Sequence, residues 1–433
     1  MVGANITAFG TYVAASGTGG TMAKDIPTLA AAGTLTAADN WMLSLLNGAM
    51  SSGVCGGFTA IGLANAGLAG ATRTSSDGNT TIATNAGNPL NQDGKAVLAI
   101  GAIDGANELT GAADGTNEKV QAAYVYQMNL NTSFTGDDNL YVRIKTGNAL
   151  KTSWLGEKDE GGYLVSTSAG SDNLSVDKIW YTFPVGSQTF WIGPKIENYY
   201  MHATTPSIYS PTTKQFTLGG NAAAYGASTK GGIGWAYNAD NGFAISSNVV
   251  TDRSGVLTEG KATSWATQVG YTQPQYAISA IVNQKYNGWT DEYFSTLKGL
   301  DRSSNSADGN STNIGLRGWW RPAETGTALP SISAGYDTSE IDGATDGNSK
   351  TDMWFLGLNW ADIIQADDKI GAAIGQPQTN ENDTVDPIAW EAYYSMKPND
   401  SMEYRGTIFG GSDRNGTAGD DVTGYVFQTT FKF

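Results

Sequence analysis

Residues 422–433 read VTGYVFQTTFKF, and this final stretch distinguishes between the possible folds. Counted back from the end, every second residue is aromatic or tolerates lipid: Phe433, Phe431, Thr429, Phe427 and Tyr425. The residues between them are mostly polar or small, with Lys432 and Gln428 among them. Because side chains alternate faces along a β-strand, the segment has one apolar face and one wetted face. This fits a barrel with lipid outside and water inside, or the last strand of a soluble sandwich whose aromatics face a core.

Composition favours an all-β chain. Gly, Thr, Asn, Tyr and Trp are abundant among the 433 residues, and only 15% of the residues are charged. These residue types are enriched in strands and turns, whereas helix formers are few. The sequence has no run of about 18 apolar residues, which argues against membrane-spanning helices. Barrel strands escape this test because their alternating residues average to near-neutral hydropathy.

Charge and residue counts exclude several function classes. A net charge of -16 disfavours nucleic acid as a partner, because phosphates require an excess of Lys and Arg. The single cysteine, Cys55, cannot form an intramolecular disulfide, and the single histidine, His202, cannot build a multi-histidine metal site. The sequence contains no nucleophile elbow, P-loop or H-E-x-x-H motif. We therefore expect no enzyme, no cofactor and no metal.

Alternation along the chain predicts about 16 strands. In sequence order these are 2–14, 120–134, 140–145, 174–184, 188–198, 230–239, 243–253, 262–272, 275–285, 312–322, 331–339, 351–361, 369–375, 388–397, 401–410 and 422–433. We expect one domain, 1–433, in which the Gly- and Ala-rich segment 15–118 is a long first outer loop. Closure of a barrel would then pair 422–433 with 2–14.

The connections alternate in length from residue 120 onward. A short turn rich in Gly, Asp, Asn or Pro is followed each time by a longer, polar and acidic loop. Outer-membrane barrels sort their connections in this way, with short periplasmic turns and long outer loops, whereas a soluble sandwich has no reason to do so. The sequence therefore predicts a closed antiparallel transmembrane β-barrel with aromatic residues at its membrane interfaces.

Two stretches resemble the cyanobacterial branch of the OprB-like porin family. They are 126–148, YQMNLNTSFTGDDNLYVRIKTGN, and 178–209, KIWYTFPVGSQTFWIGPKIENYYMHATTPSIY. The resemblance implies a homotrimer in the bacterial outer membrane that passes small hydrophilic solutes, including inorganic ions such as iron and small sugars. Phe433 resembles the terminal signal for barrel assembly. Family members carry an S-layer homology domain and a coiled coil before the barrel; neither pattern occurs in this sequence, and the segment 15–118 departs from the commoner pattern.

Strand phase predicts which charges face the lumen. The inward set is Arg143, Lys145, Lys195, Arg317, Arg321, Arg405 and Lys432, with Glu197, Glu391 and Glu403. Arg or Lys on the lipid face near the midplane costs about 2–4 kcal/mol, so these side chains should point to water. Fixed charges around a lumen set its selectivity, although they could also only solvate it and pair with each other.

We expect the constriction at 199–229, the third outer loop by parity. It is nearly free of acidic residues and contains Tyr199, Tyr200 and His202, as suits a loop that lies against a wall. The cations Arg143, Lys145 and Lys195 would face it and favour small anions or neutral solutes. The other outer loops are acidic, so the mouth would attract cations and could bridge to lipopolysaccharide through divalent ions.

Two other functions remain open from the sequence. The barrel could anchor an adhesive or structural surface protein built around 15–118, and a lumen too filled for ions would favour that reading. A soluble sugar-binding β-protein is the third reading, and it fails if the purified protein requires detergent.

Overall fold

The computed structural model describes residues 72–76, 79–83, 89–105, 119–149, 163–166, 168, 172–226, 229–255, 258, 260–289, 292–300, 309–344, 349–414 and 416–433. The predicted strand 2–14 lies outside these residues, as does most of the predicted loop 15–118. No helix in the described part of the chain is long and apolar enough to cross a membrane.

Eighteen strands are described. They are β1 (Thr72–Ser76), β2 (Asn79–Ala83), β3 (Pro89–Asp104), β4 (Gln121–Thr132), β5 (Asn139–Gly147), β6 (Ser175–Val185), β7 (Gln188–Glu197), β8 (Thr229–Asn238), β9 (Phe243–Thr251), β10 (Thr263–Gln273), β11 (Tyr276–Tyr286), β12 (Ser311–Trp320), β13 (Ser331–Ile341), β14 (Lys350–Ala361), β15 (Lys369–Asn380), β16 (Ile388–Asn399), β17 (Met402–Ser412) and β18 (Val422–Lys432). One short α-helix, Leu297–Leu300, lies between β11 and β12. The short strands β1 and β2 form a hairpin, and β2 pairs with the start of β3.

The sixteen strands β3–β18 form a closed antiparallel barrel, as the sequence predicts. They follow one another around the sheet in chain order, and β18 pairs on one side with β17 and on the other with β3. The closing register runs from Thr423 opposite Asp104 to Lys432 opposite Lys95. Closure gives each of the strands β3–β18 a partner on both edges, which a hydrocarbon environment requires.

The predicted closing partner was wrong. Both edges of β18 are occupied, and its partner is β3 rather than residues 2–14. The strand β3 lies within the segment that the sequence assigned to a loop. It was missed because it is apolar on both faces: Val97 and Ile103 are buried, while Leu98 and Ile100 are half-exposed. A search for polar and apolar alternation cannot detect such a strand.

Elsewhere the alternation sorts side chains as expected. On β11, Ile278 and Val282 are exposed, whereas Ser279 and Asn283 between and beyond them are buried. The same sorting on the neighbouring strands exposes a belt of large apolar residues, including Trp265, Leu316, Tyr336, Ile374, Ile408 and Phe427. An apolar belt outside and polar side chains inside are what a transmembrane barrel requires.

The chain forms two compact units. One comprises 1–93, 129–141 and Phe433, and the other comprises 94–128 and 142–432.

In the first unit, the tip of the β4–β5 hairpin is organised by Asp138. Its carboxylate accepts hydrogen bonds from the Ser133 hydroxyl, from the Phe134 and Thr135 backbone N–H groups and from the Thr135 hydroxyl, at 2.7–2.9 Å. Gly136 supplies the positive φ of +102° that the turn needs.

We predict that Asp138→Ala lowers the free energy of unfolding by about 1.5–3 kcal/mol, because the turn loses its hydrogen bonds to a charged acceptor. Asp137→Ala changes the neighbouring carboxylate in the same turn and serves as the matched control, with little effect expected. Urea unfolding of both variants in detergent measures the difference. Equal stability of the two variants would contradict the role given to Asp138.

Candidate functional site

The segment 198–226 connects β7 to β8 and is called loop 3 here. It includes two 3₁₀ turns, Asn198–Met201 and Lys214–Gly219. Its backbone binds the polar side chains of the barrel wall: the Ala203 N–H donates to the Ser246 hydroxyl, and Gln268 both accepts from the Thr204 N–H and donates to its carbonyl. These wall residues are buried and alternate with exposed apolar residues, so loop 3 lies inside the barrel.

Glu391 on β16 holds the middle of loop 3. Its carboxylate accepts hydrogen bonds from the Tyr209 hydroxyl at 2.9 Å, the Thr212 N–H at 3.0 Å, and the Thr213 N–H and hydroxyl at 2.9 and 2.6 Å. Glu391 is 1% exposed, and a buried carboxylate is costly unless donors surround it. Burial, together with the nearby Glu391 charge, raises the pKa of Tyr209, so its hydroxyl keeps the proton that it donates.

Arg317 on β12 holds the second half of the loop. Its guanidinium donates to the carbonyls of Leu218 and Gly220 and pairs with Asp337. The central carbon of the guanidinium, Cζ, lies 4.4 Å from the centre of the Tyr225 ring. The Gly220 backbone has a φ of +97°, which lets the chain turn against the arginine. The sequence placed Arg317 on the inner wall, and the structure puts it there. Its side chain is buried beneath loop 3, so it acts as an anchor.

Arg405 on β17 is the third wall residue that binds loop 3. Its guanidinium donates to the carbonyls of Ser210 and Pro211, lies 4.3 Å from the Tyr393 ring centre and bonds to Glu403 at 3.1 Å. Lys432 also lies 3.8 Å from Glu403. Arg405 is therefore an inward cation, as predicted, and it faces the loop from the wall.

The opposite wall brings the other predicted residues to the start of loop 3. Arg143 on β5 donates to the Tyr200 hydroxyl at 2.7 Å and lies 3.6 Å from the Asp177 carboxylate. The Tyr200 ring packs on Tyr199 and on Trp180, with centroids 4.5 and 4.7 Å apart. Beside them, Lys178 and Glu197 form an ion pair at 2.7 Å. Lys145 lies within electrostatic range of Arg143, Asp177, Lys178 and Lys214.

Protonation leaves this region net positive. Burial lowers the pKa of His202 to about 4, so its ring is neutral at pH 7 and adds no charge. The ring meets Tyr225 edge-on with centroids 5.6 Å apart, and its Nδ1 lies 3.4 Å from the Asn248 amide nitrogen. Burial likewise raises the pKa of Tyr199 and Tyr200, which stay protonated.

Two other predicted cations, Lys195 and Arg321, lie away from the start of loop 3. A β-bulge between Gly193 and Ile196 breaks the alternation on β7, so the phase count misplaced Lys195. Lys195 pairs with Ile179, which alternates with the buried Lys178, and its exposed amine donates to the Val176 carbonyl. Among the described residues it contacts neither Arg143 nor loop 3. Arg321 follows the end of β12, donates to the Pro274 carbonyl and lines a cavity together with Ile208 and Ser210 of loop 3.

A second inward segment, 163–166 from the β5–β6 loop, was not predicted from the sequence. The Val165 N–H donates to the Thr212 carbonyl, and the Lys214 N–H donates to that of Tyr163, so the segment pairs with loop 3. Leu164 packs against the inner faces of β3, β17 and β18 in a cluster of Ala99, Ile103, Ala149, Phe409, Val422 and Val426. The only signal was a short apolar run, Tyr163-Leu164-Val165, in a polar loop.

Metal binding finds no support in the described residues, because no group of three His, Cys, Asp or Glu side chains there could hold an ion.

Comparison with known proteins supports the fold. No family model matches the chain. A relative from Nostoc sp., named "Uncharacterized protein alr4550", is 23% identical over 390 residues; the match covers 78% of this chain and 64% of the relative's length. Two solved structures resemble the chain: a loop-deletion mutant of OmpT, an outer membrane protein of Vibrio cholerae (TM-score 0.51, 12% identity, 80% and 99% of the two chains), and a mutant of the Rh. blastica porin (0.50, 10%, 79% and 100%).

This likeness shows an outer-membrane barrel fold. With the exposed apolar belt, it places the chain in an outer membrane, as the sequence predicted.

We predict that Glu391→Ala frees loop 3 locally. Each buried donor that loses its acceptor costs about 1–3 kcal/mol, so trypsin cleavage after Lys214 should rise about tenfold or more. Glu403→Ala is the matched control, because this inward carboxylate binds Arg405 and Lys432 but no loop backbone. Proteolysis of the folded protein in detergent, followed by mass spectrometry, gives the rates. Equal rates in the two variants would refute the anchor.

Proposed function

We propose that the barrel is a passive diffusion channel of the porin type, constricted by loop 3. The observation that carries this proposal is the asymmetry of the lumen. Loop 3 is bound to the inner faces of β9–β17, while Arg143 and Lys145 lie on β5 at its beginning, where Arg143 donates to the Tyr200 hydroxyl. A constriction with fixed charge on one wall is a selectivity filter for small hydrophilic solutes.

The charges at this constriction favour small inorganic anions and neutral polar solutes. Cationic side chains outnumber acidic ones there: Lys95, Arg143, Lys145, Lys178 and Lys214 lie near three carboxylates, Asp177, Glu197 and Glu403. Each of these carboxylates is already paired with a cation: Asp177 with Arg143, Glu197 with Lys178 and Glu403 with Arg405. An excess of positive charge in a narrow lumen raises the local concentration of anions, although the chain as a whole carries -16.

Several finer features belong to the proposal as well. The OprB-type resemblance suggests iron and small sugars as solutes, a homotrimer and contacts with lipopolysaccharide. The absence of catalytic motifs supports a channel that is not an enzyme. The chain is proposed as one barrel domain, with Phe433 as its assembly signal; this residue is 48% exposed at the end of β18.

Charge reversal at the constriction tests the function. In planar bilayers with asymmetric salt, the combined variant Arg143→Glu and Lys145→Glu should lower the anion-to-cation permeability ratio by roughly fivefold or more. Lys195→Glu makes the same chemical change on the outward face and should leave the reversal potential almost unchanged. A reversal potential that follows Lys195 but ignores Arg143 and Lys145 would overturn the assignment of the constriction.

One observation favours a second function, in which the barrel is an anchor for a structural or adhesive surface protein. Loop 3 and the segment 163–166 both occupy the lumen and bind each other. If the two leave no continuous water path, the barrel conducts no ions. Single-channel recording separates the two functions, since a channel gives discrete conductance steps and an anchor gives none.

A further inference from the structure

A groove crosses the lipid-facing surface of β7, β8 and β9 near the end of the barrel that carries the long loops. Its volume is about 280 Å³, and its walls are Ile192, Pro194, Ile233 and Val249. Ile192 is 54% exposed and Ile233 is 50% exposed, so the groove opens to the bilayer. Gly231, which lies on the same face as Ile233 and has no side chain, forms part of the floor.

Two cations border this groove. Arg253, exposed just beyond the end of β9, is part of its lining. Lys195 is next to the groove and not part of its lining: it follows the lining residue Pro194, the β-bulge on β7 turns it outward, and its amine donates to the Val176 carbonyl of β6. No carboxylate is paired with either of them among the described residues. Asp252, which precedes Arg253, is held by the Ser254 N–H and hydroxyl and lies 3.8 Å from Lys230. Glu197, two residues after Lys195, is paired with Lys178.

The position of the two cations fits a membrane interface. A positive side chain on the lipid face costs far less near the headgroups than at the midplane. Arg253 and Lys195 lie at the rim, at the ends of their strands, and the apolar groove extends from them toward the middle of β8. Cations above a hydrocarbon-lined groove complement a molecule that has an anionic headgroup and an acyl chain.

We propose that this groove is a binding site for an anionic diacyl membrane lipid. One acyl chain lies over Gly231 between Ile192 and Ile233, and the headgroup binds Arg253 and Lys195. The proposal is independent of the channel function, because both cations face away from the lumen.

A second outward groove provides the comparison. It lies on β15–β18, has a volume of about 470 Å³ and is lined by small and apolar residues including Ala372, Ala392, Gly406 and Phe427, with no cation in its lining. An added Cβ at Gly406 meets nothing within 4 Å, so a larger residue there fills this groove without a clash. It is the groove expected to show no preference for lipid charge.

Native mass spectrometry tests the site. The protein in detergent is mixed with equal amounts of dioleoyl phosphatidylglycerol and dioleoyl phosphatidylcholine, and the retained lipid is counted. We expect the wild-type chain to retain the anionic lipid selectively. The double variant Arg253→Gln and Lys195→Gln, and separately Gly231→Leu, should each lower that retention by fivefold or more. Gly406→Leu is the matched control and should leave it unchanged.

The proposal is overturned if the wild-type chain retains both lipids equally, or if Gly231→Leu and Gly406→Leu have the same effect. Glycerol 3-phosphate in excess carries the charge without the chains and should not displace the lipid; displacement would show a phosphate site that does not use the groove. A circular dichroism spectrum and a thermal unfolding midpoint equal to those of the wild type show that the variant with both glutamine substitutions has folded. Loss of selective retention in that folded variant supports the site, and selective retention at the wild-type level refutes it.

Discussion

Backbone hydrogen bonding in hydrocarbon is the constraint on which the rest of this structure depends. A strand edge facing lipid would leave its N–H and C=O groups without partners, so the sheet must close. The pairing of β18 with β3 achieves this closure. Once the sheet is closed, each strand has one face toward lipid and one toward the lumen. Every polar side chain on β9–β17 then needs a partner inside.

Loop 3 supplies these partners, and the same hydrogen bonds hold the loop in place. Glu391 and Arg317 are buried in the wall. Glu391 is satisfied by groups of the loop, and Arg317 by the loop carbonyls of Leu218 and Gly220 together with Asp337 and carbonyls of the wall. Without the loop, burying this carboxylate and this guanidinium in the wall would cost free energy because they would lack hydrogen-bond partners. If the wall were apolar, the backbone of the loop would lack partners in turn. The two halves therefore specify each other, which is why a single substitution at Glu391 is expected to act on the whole middle of the loop.

The same alternation separates two electrostatic surfaces of opposite use. Arg143 and Lys145 lie on the inner wall, where we propose that they bear on solute choice. One bulge on β7 moves Lys195 out of that set and to the outward face. A difference of one residue in strand register therefore changes which phase a cation faces. Residue type alone carries no information about this choice.

The sequence by itself determined the barrel, fifteen of its sixteen strands, the parity of the loops and the inward position of Arg143, Arg317 and Arg405, because period-two alternation is a local property of the chain. Only the tertiary structure decided the rest. The strand β3 is apolar on both faces and so has no alternation to detect, and Lys195 was counted across a bulge that is visible only in the pairing. The roles of Glu391 and Arg317, and the entry of 163–166 into the lumen, depend on contacts between residues far apart in the chain. Such contacts arise from closure of the sheet, so no local pattern in the sequence can specify them.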